Sequence, residues 1–325
     1  MLPGLIDLAS ELVGGSVIAA SDDFFAPKKE NLIKATASVF IADKYTDRGK
    51  WMDGWETRRK RTPGHDWCII KLGPAGIARI LNVDTNHFVG NFPEHCSLDG
   101  ANVERDPIES DWIPVLRKSR LEGGRQNIFD SEHAGRLTHV RLNIFPDGGV
   151  ARLRVFGDVV PDLEKLKSSP ELVDVASVIN GGRALAASDE FFGSLQNLIL
   201  PDHPANMGGG WETRRRRGPG YDWIIIHLGV ASLIQKISVE TEHYKGNYPD
   251  RCSIDACFAP DVLVQSLIAG KVAWREILPA SKLEADSARV FESELKPGGA
   301  ATHVRLNIYP DGGISRLRVF GKIVE

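Results

Sequence analysis

The chain reads as an all-β protein built of two tandem sandwiches, and three observations carry that reading. Long motifs recur at half the chain length, apolar residues come in short runs or alternate with polar ones, and glycine and proline punctuate those runs. Gly54-Trp55-Glu56-Thr57-Arg58-Arg59 returns as Gly210-Trp211-Glu212-Thr213-Arg214-Arg215, and Thr138-His139-Val140-Arg141-Leu142-Asn143-Ile144 returns as Thr302-His303-Val304-Arg305-Leu306-Asn307-Ile308. Self-similarity at that period means two copies of one domain, not a solenoid of short repeats. A chain of 325 residues divides the same way on length alone, at roughly 150 residues per domain, and each half can bury its own core.

The first copy opens at Pro3-Gly4-Leu5-Ile6-Asp7-Leu8-Ala9-Ser10, which matches Pro170-Glu171-Leu172-Val173-Asp174-Val175-Ala176-Ser177, and Ala20-Ser21-Asp22-Asp23-Phe24-Phe25 matches Ala187-Ser188-Asp189-Glu190-Phe191-Phe192. The copies close at Phe156-Gly157 and Phe320-Gly321. Between them Pro161-Asp162-Leu163-Glu164-Lys165-Leu166-Lys167 is a charged connector, so the expected division is a domain over 1–160, a linker over 161–169 and a domain over 170–325. The copies differ in length where surface loops are expected. The first is longer between its Phe-Phe and Gly-Trp-Glu-Thr, where residues 35–50 could carry a turn of helix, and the second between its Cys-Ser-x-Asp and Thr-His-Val-Arg, a stretch that contains the charged residues 271–294.

Strands follow from the pattern. Trp67-Cys68-Ile69-Ile70-Lys71-Leu72 and Trp223-Ile224-Ile225-Ile226-His227-Leu228 are short apolar runs ending in glycine, and residues 77–84 continue at a period near two. Residues 140–145, the turn Pro146-Asp147-Gly148-Gly149 and residues 150–156 read as a hairpin, since proline presets one torsion and glycine permits positive φ. Alternation places Val140, Leu142, Ile144, Leu153 and Val155 on a core face, and His139, Arg141, Asn143, Arg152 and Arg154 on a charged one. Short strands, regular turns and few amphipathic helices predict a sandwich in each half.

Composition narrows the function. A formal net charge of -3 gives no positive field to hold a polyanion, so nucleic acid is not an expected partner. The amino terminus lacks the basic start and apolar run of a signal peptide and no stretch reaches a membrane span, so a cytoplasmic protein is expected. Cys68, Cys96, Cys252 and Cys257 show no disulfide framework and no Cys-x-x-Cys, and are expected to be buried and reduced.

The densest polar cluster runs from Trp55 to Trp67 and is echoed from Trp211 to Trp223, with Tyr221 for His65. A basic run is ordinarily a solvated face. Here it lies in a Gly/Pro-bounded loop beside Glu56 and Asp66, and arginine's planar fork can hold a carboxylate by two hydrogen bonds. The second cluster, Asp84-Thr85-Asn86-His87-Phe88-Val89-Gly90-Asn91-Phe92-Pro93, is echoed by Glu240-Thr241-Glu242-His243-Tyr244-Lys245-Gly246-Asn247-Tyr248-Pro249. It offers an acceptor, a titratable donor and an amide for ureido or amide recognition; the plainer alternative is a turn built by Gly90 and Asn91 and capped by His87. Asp99 and Asp255 read as loop caps or ligand contacts, and His139 and His303 as exposed or site residues in equal measure. No His-Glu-x-x-His, Gly-x-Ser-x-Gly or Gly-x-x-x-x-Gly-Lys-Ser motif is present, so zinc hydrolase, serine hydrolase and P-loop chemistry lack their spacing signals. No metal site is assigned, and Asp84 with His87 could contribute only to a looser one.

Taken together, duplicated Gly-Trp-Glu-Thr-Arg-Arg, Pro-Gly-x-Asp-Trp, Asp/Glu-Thr-x-His-x-x-Gly-Asn-x-Pro and Thr-His-Val-Arg-Leu-Asn-Ile-x-Pro-Asp-Gly-Gly resemble the allantoicase family, from about Pro3 to Gly321. The resemblance implies two tandem jelly-roll β-sandwich domains of the galactose-binding-like kind. It also implies an amidinohydrolase that splits allantoate and water into ureidoglycolate and urea. By residue type, Arg58, Arg59, Arg214 or Arg215 would hold the substrate carboxylate, Glu56 or Glu212 would accept ureido N–H groups, and Asn91 and Asn247 would assist. His87 with Asp84, or His243 with Glu240, would be the acid and base pair. No cofactor is firmly implied, though a divalent metal such as Mn2+ is an option, and a homo-oligomer is expected. The competing class is a non-catalytic jelly-roll protein that binds a carbohydrate or small anion.

Overall fold

The computed structural model describes residues 5–26 and 29–324; Pro3 and Gly4, where the repeat opens, lie outside the described residues. The chain forms two compact units with the boundary after Val160. In the first unit the strands are β1 (Ile6–Asp7), β2 (Ser16–Ala20), β3 (Tyr45–Thr46), β4 (Gly49–Lys50), β5 (Trp55–Glu56), β6 (Asp66–Asp84), β7 (His95–Ala101), β8 (Ile113–Arg120), β9 (Gln126–Asp130), β10 (Leu137–Phe145), β11 (Gly149–Val150) and β12 (Arg152–Val159).

The 19-residue strand β6 organises this unit. Its first half pairs with β2 and β10, and its second half with β12 and β9. One layer is therefore β2-β6-β10-β7-β8 and the other β1-β12-β6-β9, all antiparallel. The register slips where β6 passes from one layer to the other, between its pairings of Lys71 with His139 and Gly76 with Leu137, and Pro74 falls in this stretch, where a missing N–H costs no ladder bond. Alternate residues Cys68, Ile70 and Leu72 of its first half meet Leu81 and Val83 of its second, with Val140, Leu142, Ile144, Leu153 and Val155 between the layers. Each fully buried aliphatic side chain contributes about 1.5–3 kcal/mol.

The second unit repeats the plan. Its strands are β13 (Val173–Asp174), β14 (Arg183–Ala187), β15 (Trp211–Glu212), β16 (Asp222–Glu240), β17 (Arg251–Cys257), β18 (Arg275–Lys282), β19 (Ala288–Phe291), β20 (Ala301–Tyr309), β21 (Gly313–Ile314) and β22 (Arg316–Ile323). The order β13-β22-β16-β20-β17-β18, with β14 and β19 also on β16, matches the first unit strand for strand. Each unit is a jelly-roll sandwich. The connector is partly helical: α1 (Leu163–Lys167) is capped by the Asp162 carboxylate, which accepts from Lys165 N at 3.0 Å. A second short helix, α2 (Val264–Ile268), lies in the longer loop between β17 and β18.

Four expectations are corrected. The runs at residues 67–72 and 77–84 are one strand, because a jelly-roll strand can serve both layers. Residues 140–156 are not a hairpin: β10 and β12 pair with different halves of β6, and the Pro-Asp-Gly-Gly segment crosses between layers. His139, Asn143 and Arg152, placed on the charged face opposite the core, are 2%, 3% and 1% exposed, because alternation within a strand says nothing about the loops that cover its outer face. Residues 35–50 hold the β3–β4 hairpin, and the helical turn comes earlier, at Lys29–Ile33. All four cysteines are free and buried. Among the described residues no helix is long and apolar enough to cross a membrane.

Candidate active site

The crossing of Pro-Asp-Gly-Gly brings three separate motifs to one place. β11 pairs with β5, setting Gly149 opposite Glu56 and Val150 opposite Trp55. Thr57 N donates to Gly148 O at 3.1 Å, and Gly148 N returns a bond to Thr57 Oγ1 at 3.2 Å. Gly149 N donates to the Asn91 carbonyl at 2.8 Å, while the Asn91 amide donates to Glu56 Oε1 at 2.6 Å. Asp147 Oδ2 accepts from Lys60 N at 2.7 Å. Both glycines are required by space: Gly148 has φ 141° and a Cβ there would lie 2.7 Å from Pro93 N, and one on Gly149 would lie 2.0 Å from the Phe88 ring.

These loops enclose a pocket of about 660 Å³ lined by Phe25, Glu56, Thr57, Arg59, Lys60, Asn91, Glu94 and Asp147, among others, within the range of small-molecule sites. Burial pushes the Glu56 carboxyl above its ordinary value, against the Asn91 bond that draws it down. Arg58 is committed: its Nε and its backbone N each lie 2.8 Å from the Asp22 carboxylate. Burial alone would raise Asp22, but the N–H groups of Arg58 and Phe24 and the Arg58 guanidinium hold it below the usual carboxylate range. Lys60 Nζ is paired with buried Asp66 at 2.8 Å. Arg59 is exposed at the pocket and makes no ion pair among the described residues.

The second unit builds the same arrangement. Asn247 donates to Glu212 Oε1 at 2.5 Å, Thr213 and Gly312 exchange bonds of 3.1 and 3.2 Å, and Gly313 N reaches the Asn247 carbonyl at 2.9 Å. Asp311 accepts from Arg216 N at 2.8 Å, and Arg214 Nε lies 2.7 Å from Asp189. Arg215 corresponds to Arg59 and likewise has no ion pair among the described residues. The rims differ. Glu94, with an 81% exposed side chain, corresponds to Asp250, which Arg251 at 2.8 Å and Lys282 neutralise.

Asp84 and His87, and Glu240 and His243, are placed otherwise. Asp84 is buried and accepts from Asn86 N at 2.7 Å, opening a tight turn in which Phe88 N reaches Thr85 O at 2.9 Å and His87 takes φ 71°. The His87 Nε2–H donates to the Ser38 carbonyl at 3.2 Å, with the ring stacked near Phe40. His243 repeats this with φ 72° and a 2.7 Å bond to the Pro204 carbonyl, while Glu240 accepts from Arg318 Nε at 3.0 Å. Neither imidazole bonds its expected carboxylate among the described residues, and neither lines the Glu56 pocket. Asp99 and Asp255 hold Arg141 and Arg305 at 3.0 and 2.8 Å on the outer sheet face. His139 and His303 are buried, each with Nδ1 2.9 Å from the neighbouring threonine hydroxyl.

Sequence reading missed Asp22, Phe25, Thr57 and Asp147, all inside repeated motifs: the two aspartates read as turn residues, and the phenylalanine and threonine carry no charge that announces a role. It also missed Arg152 and Arg316. Each is 1% exposed; Arg152 bonds the carbonyls of Thr36, Ala37, Asp53 and Ala151 and pairs with Asp53 at 2.8 Å. Arg316 pairs instead with Asp202 at 2.6 Å. For a metal, the described residues offer one group: His203, Glu240 and Glu242, whose ligand atoms lie within 4.8 Å of one another. An imidazole and two carboxylates suit a divalent ion, although Arg318 already occupies one Glu240 oxygen. The sequence places Ala37, Asp84 and Asn86 at the matching positions of the first unit, which leaves a single carboxylate there.

The allantoicase-repeat family model matches residues 6–160 and 173–324. A protein described as probable allantoicase 1 from Burkholderia mallei is 46% identical over 98% of this chain and 94% of its own length. A probable allantoicase from Photobacterium profundum is 46% identical over 97% and 96%. The crystal structure of allantoicase from Saccharomyces cerevisiae superposes with a TM-score of 0.78 at 36% identity, covering 98% of this chain and 94% of that one. Matched in both repeats and along almost its whole length, the chain belongs to the allantoicase family.

Proposed function

We infer that the chain is an allantoicase, hydrolysing allantoate to ureidoglycolate and urea, and that it works at the Glu56 pocket. Full-length relatedness supports the activity. For the place, the supporting observation is the Glu56–Asn91 pair at 2.6 Å, set beside an arginine with no ion pair among the described residues in a cavity large enough to admit the substrate. Allantoate is a carboxylate and two ureido arms on one carbon. Arg59 takes the carboxylate through its fork, and Asn91 fixes one Glu56 oxygen, leaving the other to meet a ureido N–H.

The raised carboxyl of Glu56 makes it a stronger base than a solvated glutamate. Its open oxygen removes the N–H proton of the retained arm and passes a proton to the leaving nitrogen on the same carbon. The C–N bond to urea breaks as the retained nitrogen forms a C=N bond; water then adds across that bond, its hydroxyl to carbon and its proton to nitrogen, giving ureidoglycolate. Glu212, Asn247 and Arg215 are assigned the same roles in the second unit. His87 and His243 are assigned to holding their loops. No step is assigned to a metal; a divalent ion such as Mn2+ would be held by His203, Glu240 and Glu242. A cytoplasmic homo-oligomer completes the proposal, to be checked by fractionation and light scattering.

The test is release of urea and ureidoglycolate from allantoate by the purified chain, with chelator and added Mn2+ in parallel. Equal amounts of both products in wild type, and loss of at least a hundredfold in the Glu56→Gln, Glu212→Gln double variant, are expected. Allantoate bound without turnover in wild type would favour a binding protein, and wild-type turnover in the double variant would move the chemistry away from these carboxylates.

A further inference from the structure

The Asp-x-Phe-Phe segment crosses the rim of the Glu56 pocket and has no role in the chemistry described so far. It is clamped. Trp55 Nε1 donates to the Asp22 carbonyl at 2.7 Å, and the Asp22 carboxylate holds Arg58. The Arg58 guanidinium lies 4.7 Å above the Phe24 ring, which meets Phe25 edge to face at 5.1 Å and 85°. Phe25 lines the pocket. The core recruits Phe92 from this rim but not Phe25.

The second unit repeats each link. Asp189 holds Arg214, Arg214 lies 5.1 Å above Phe191, and Phe191 meets Phe192 at 4.8 Å and 88°. Phe192 N is bonded to the Glu212 carbonyl at 3.2 Å, yet the Phe191 and Phe192 rings are 63% and 60% exposed. A ring held in fixed orientation beside polar groups, and left uncovered, has a face to offer. A ureido group is planar: its N–H and C=O groups point outward in the plane, toward partners such as Glu56 and Asn91, and its two faces carry no hydrogen-bonding group.

We propose that Phe25 is the platform on which a ureido arm of the substrate lies, with Phe192 its counterpart in the second unit. The assignment rests on the Glu56 pocket being the substrate site. The aromatic face fixes the plane of the arm, and the in-plane bonds to Glu56 then fix its rotation, so the proton to be removed faces the open oxygen. Asp22 and Asp189 are positioning residues, acting through Arg58 and Arg214.

The experiment is steady-state kinetics on the full chain with Phe25→Ala, Phe192→Ala, the double variant, and Phe25→Trp, Phe192→Trp. Ureidoacetate, a carboxylate with one ureido arm, serves as competitive probe, and the Glu56→Gln, Glu212→Gln variant runs alongside. The double alanine variant is expected to raise both KM for allantoate and the inhibition constant of ureidoacetate about three- to tenfold, with the melting temperature nearly held because Phe192 is exposed and Phe25, half-buried, is not part of the core cluster, and the tryptophan variants are expected to keep both constants near wild type. Unchanged constants in the double alanine variant overturn the platform alone if the glutamine variant is inactive. So do constants in a Phe25→Leu, Phe192→Leu variant, run in the same series, that match those of the tryptophan variants, which would mean a plain apolar wall. A fully active glutamine variant overturns the pocket and the platform together.

Discussion

Replacing Arg152 by Met should destabilise the protein more than replacing Arg316 by Met, although the two arginines occupy the same place in their repeats and are equally buried. In the first unit the pair is sealed, with side-chain exposures of 1% for Arg152 and 7% for Asp53; in the second, Asp202 is 36% exposed against 1% for Arg316. Removing one partner of a buried pair strands the other charge, a cost of about 3–5 kcal/mol. Asp202 can rehydrate, so Arg316→Met loses mainly its bonds to the carbonyls of Asp202, Gly209 and Ser315, about 1–3 kcal/mol. The expected difference is about 2 kcal/mol. Acid provides a second check. Burial raises Asp53, but Arg152 and Val39 N hold it below its ordinary value, so in wild type its contribution is complete above the unfolded pKa and is lost as pH falls through the folded one. Without Arg152, burial raises the carboxyl against only the Val39 N–H bond and the more distant Lys34, so its folded pKa lies higher than in wild type and the Arg152→Met penalty shrinks relative to wild type as pH falls. Urea denaturation at pH 7 and pH 5 measures both effects. Equal penalties for the two variants, or an Arg152→Met penalty that does not fall with pH, would refute the argument that burial of the carboxylate sets the cost.

Because Glu56 acts as a base with a raised pKa, kcat/KM should fall on the acid side through a value above the ordinary glutamate figure of about 4.3, and Asn91→Leu should move that limb higher; a limb at or below the ordinary value in a pH-rate profile would remove Glu56 as the base. His87→Asn and His243→Asn, made together, should keep turnover within about tenfold while lowering the melting temperature, since asparagine tolerates the positive φ but loses the carbonyl contact; a loss of a hundredfold or more with the melting temperature unchanged would return the imidazoles to the chemistry. Gly149→Ala drives a Cβ into the Phe88 ring and should cost about 1–3 kcal/mol of stability together with activity, as checked by denaturation and allantoate turnover.

Repetition made the architecture legible: two matched halves, short alternating runs and the absence of long amphipathic patterns led directly to paired sandwiches. Strand pairing was not legible, because Pro-Asp-Gly-Gly signals a reversal of the chain without saying that the reversed strand joins the opposite layer. The same ambiguity hid the reason for its two glycines, which is room for Phe88 and for the Asn91 backbone. At the site, Glu56 and Asn91 were found by residue type and lie 2.6 Å apart, whereas Arg58 carried the same signal as Arg59 and is tied to Asp22. Charge in a sequence does not reveal whether it has been neutralised by a residue 36 positions away.

His87 shows why repetition cannot by itself separate chemistry from architecture. It recurs as His243 with the same left-handed torsion and the same bond to a carbonyl on a preceding loop, so both copies keep it for a reason that a fold alone satisfies. An imidazole whose Nε2 proton is donated to a main-chain carbonyl has a fixed tautomer and a fixed ring, which suits an anchor. A group that must exchange protons with a substrate needs capacity left over after folding. By that measure the Asn91 bond matters less for what it holds than for what it leaves: it engages Oε1 of Glu56, and the other oxygen, on a carboxyl whose proton affinity burial has raised, has no partner among the described residues. Arg59 meets the same condition as a cation, since the neighbouring Arg58 and Lys60 have spent their charge on Asp22 and Asp66. The reacting groups in this pocket are thus the acid and the arginine that folding leaves unsatisfied, and the paired residues around them are what keeps those two in place.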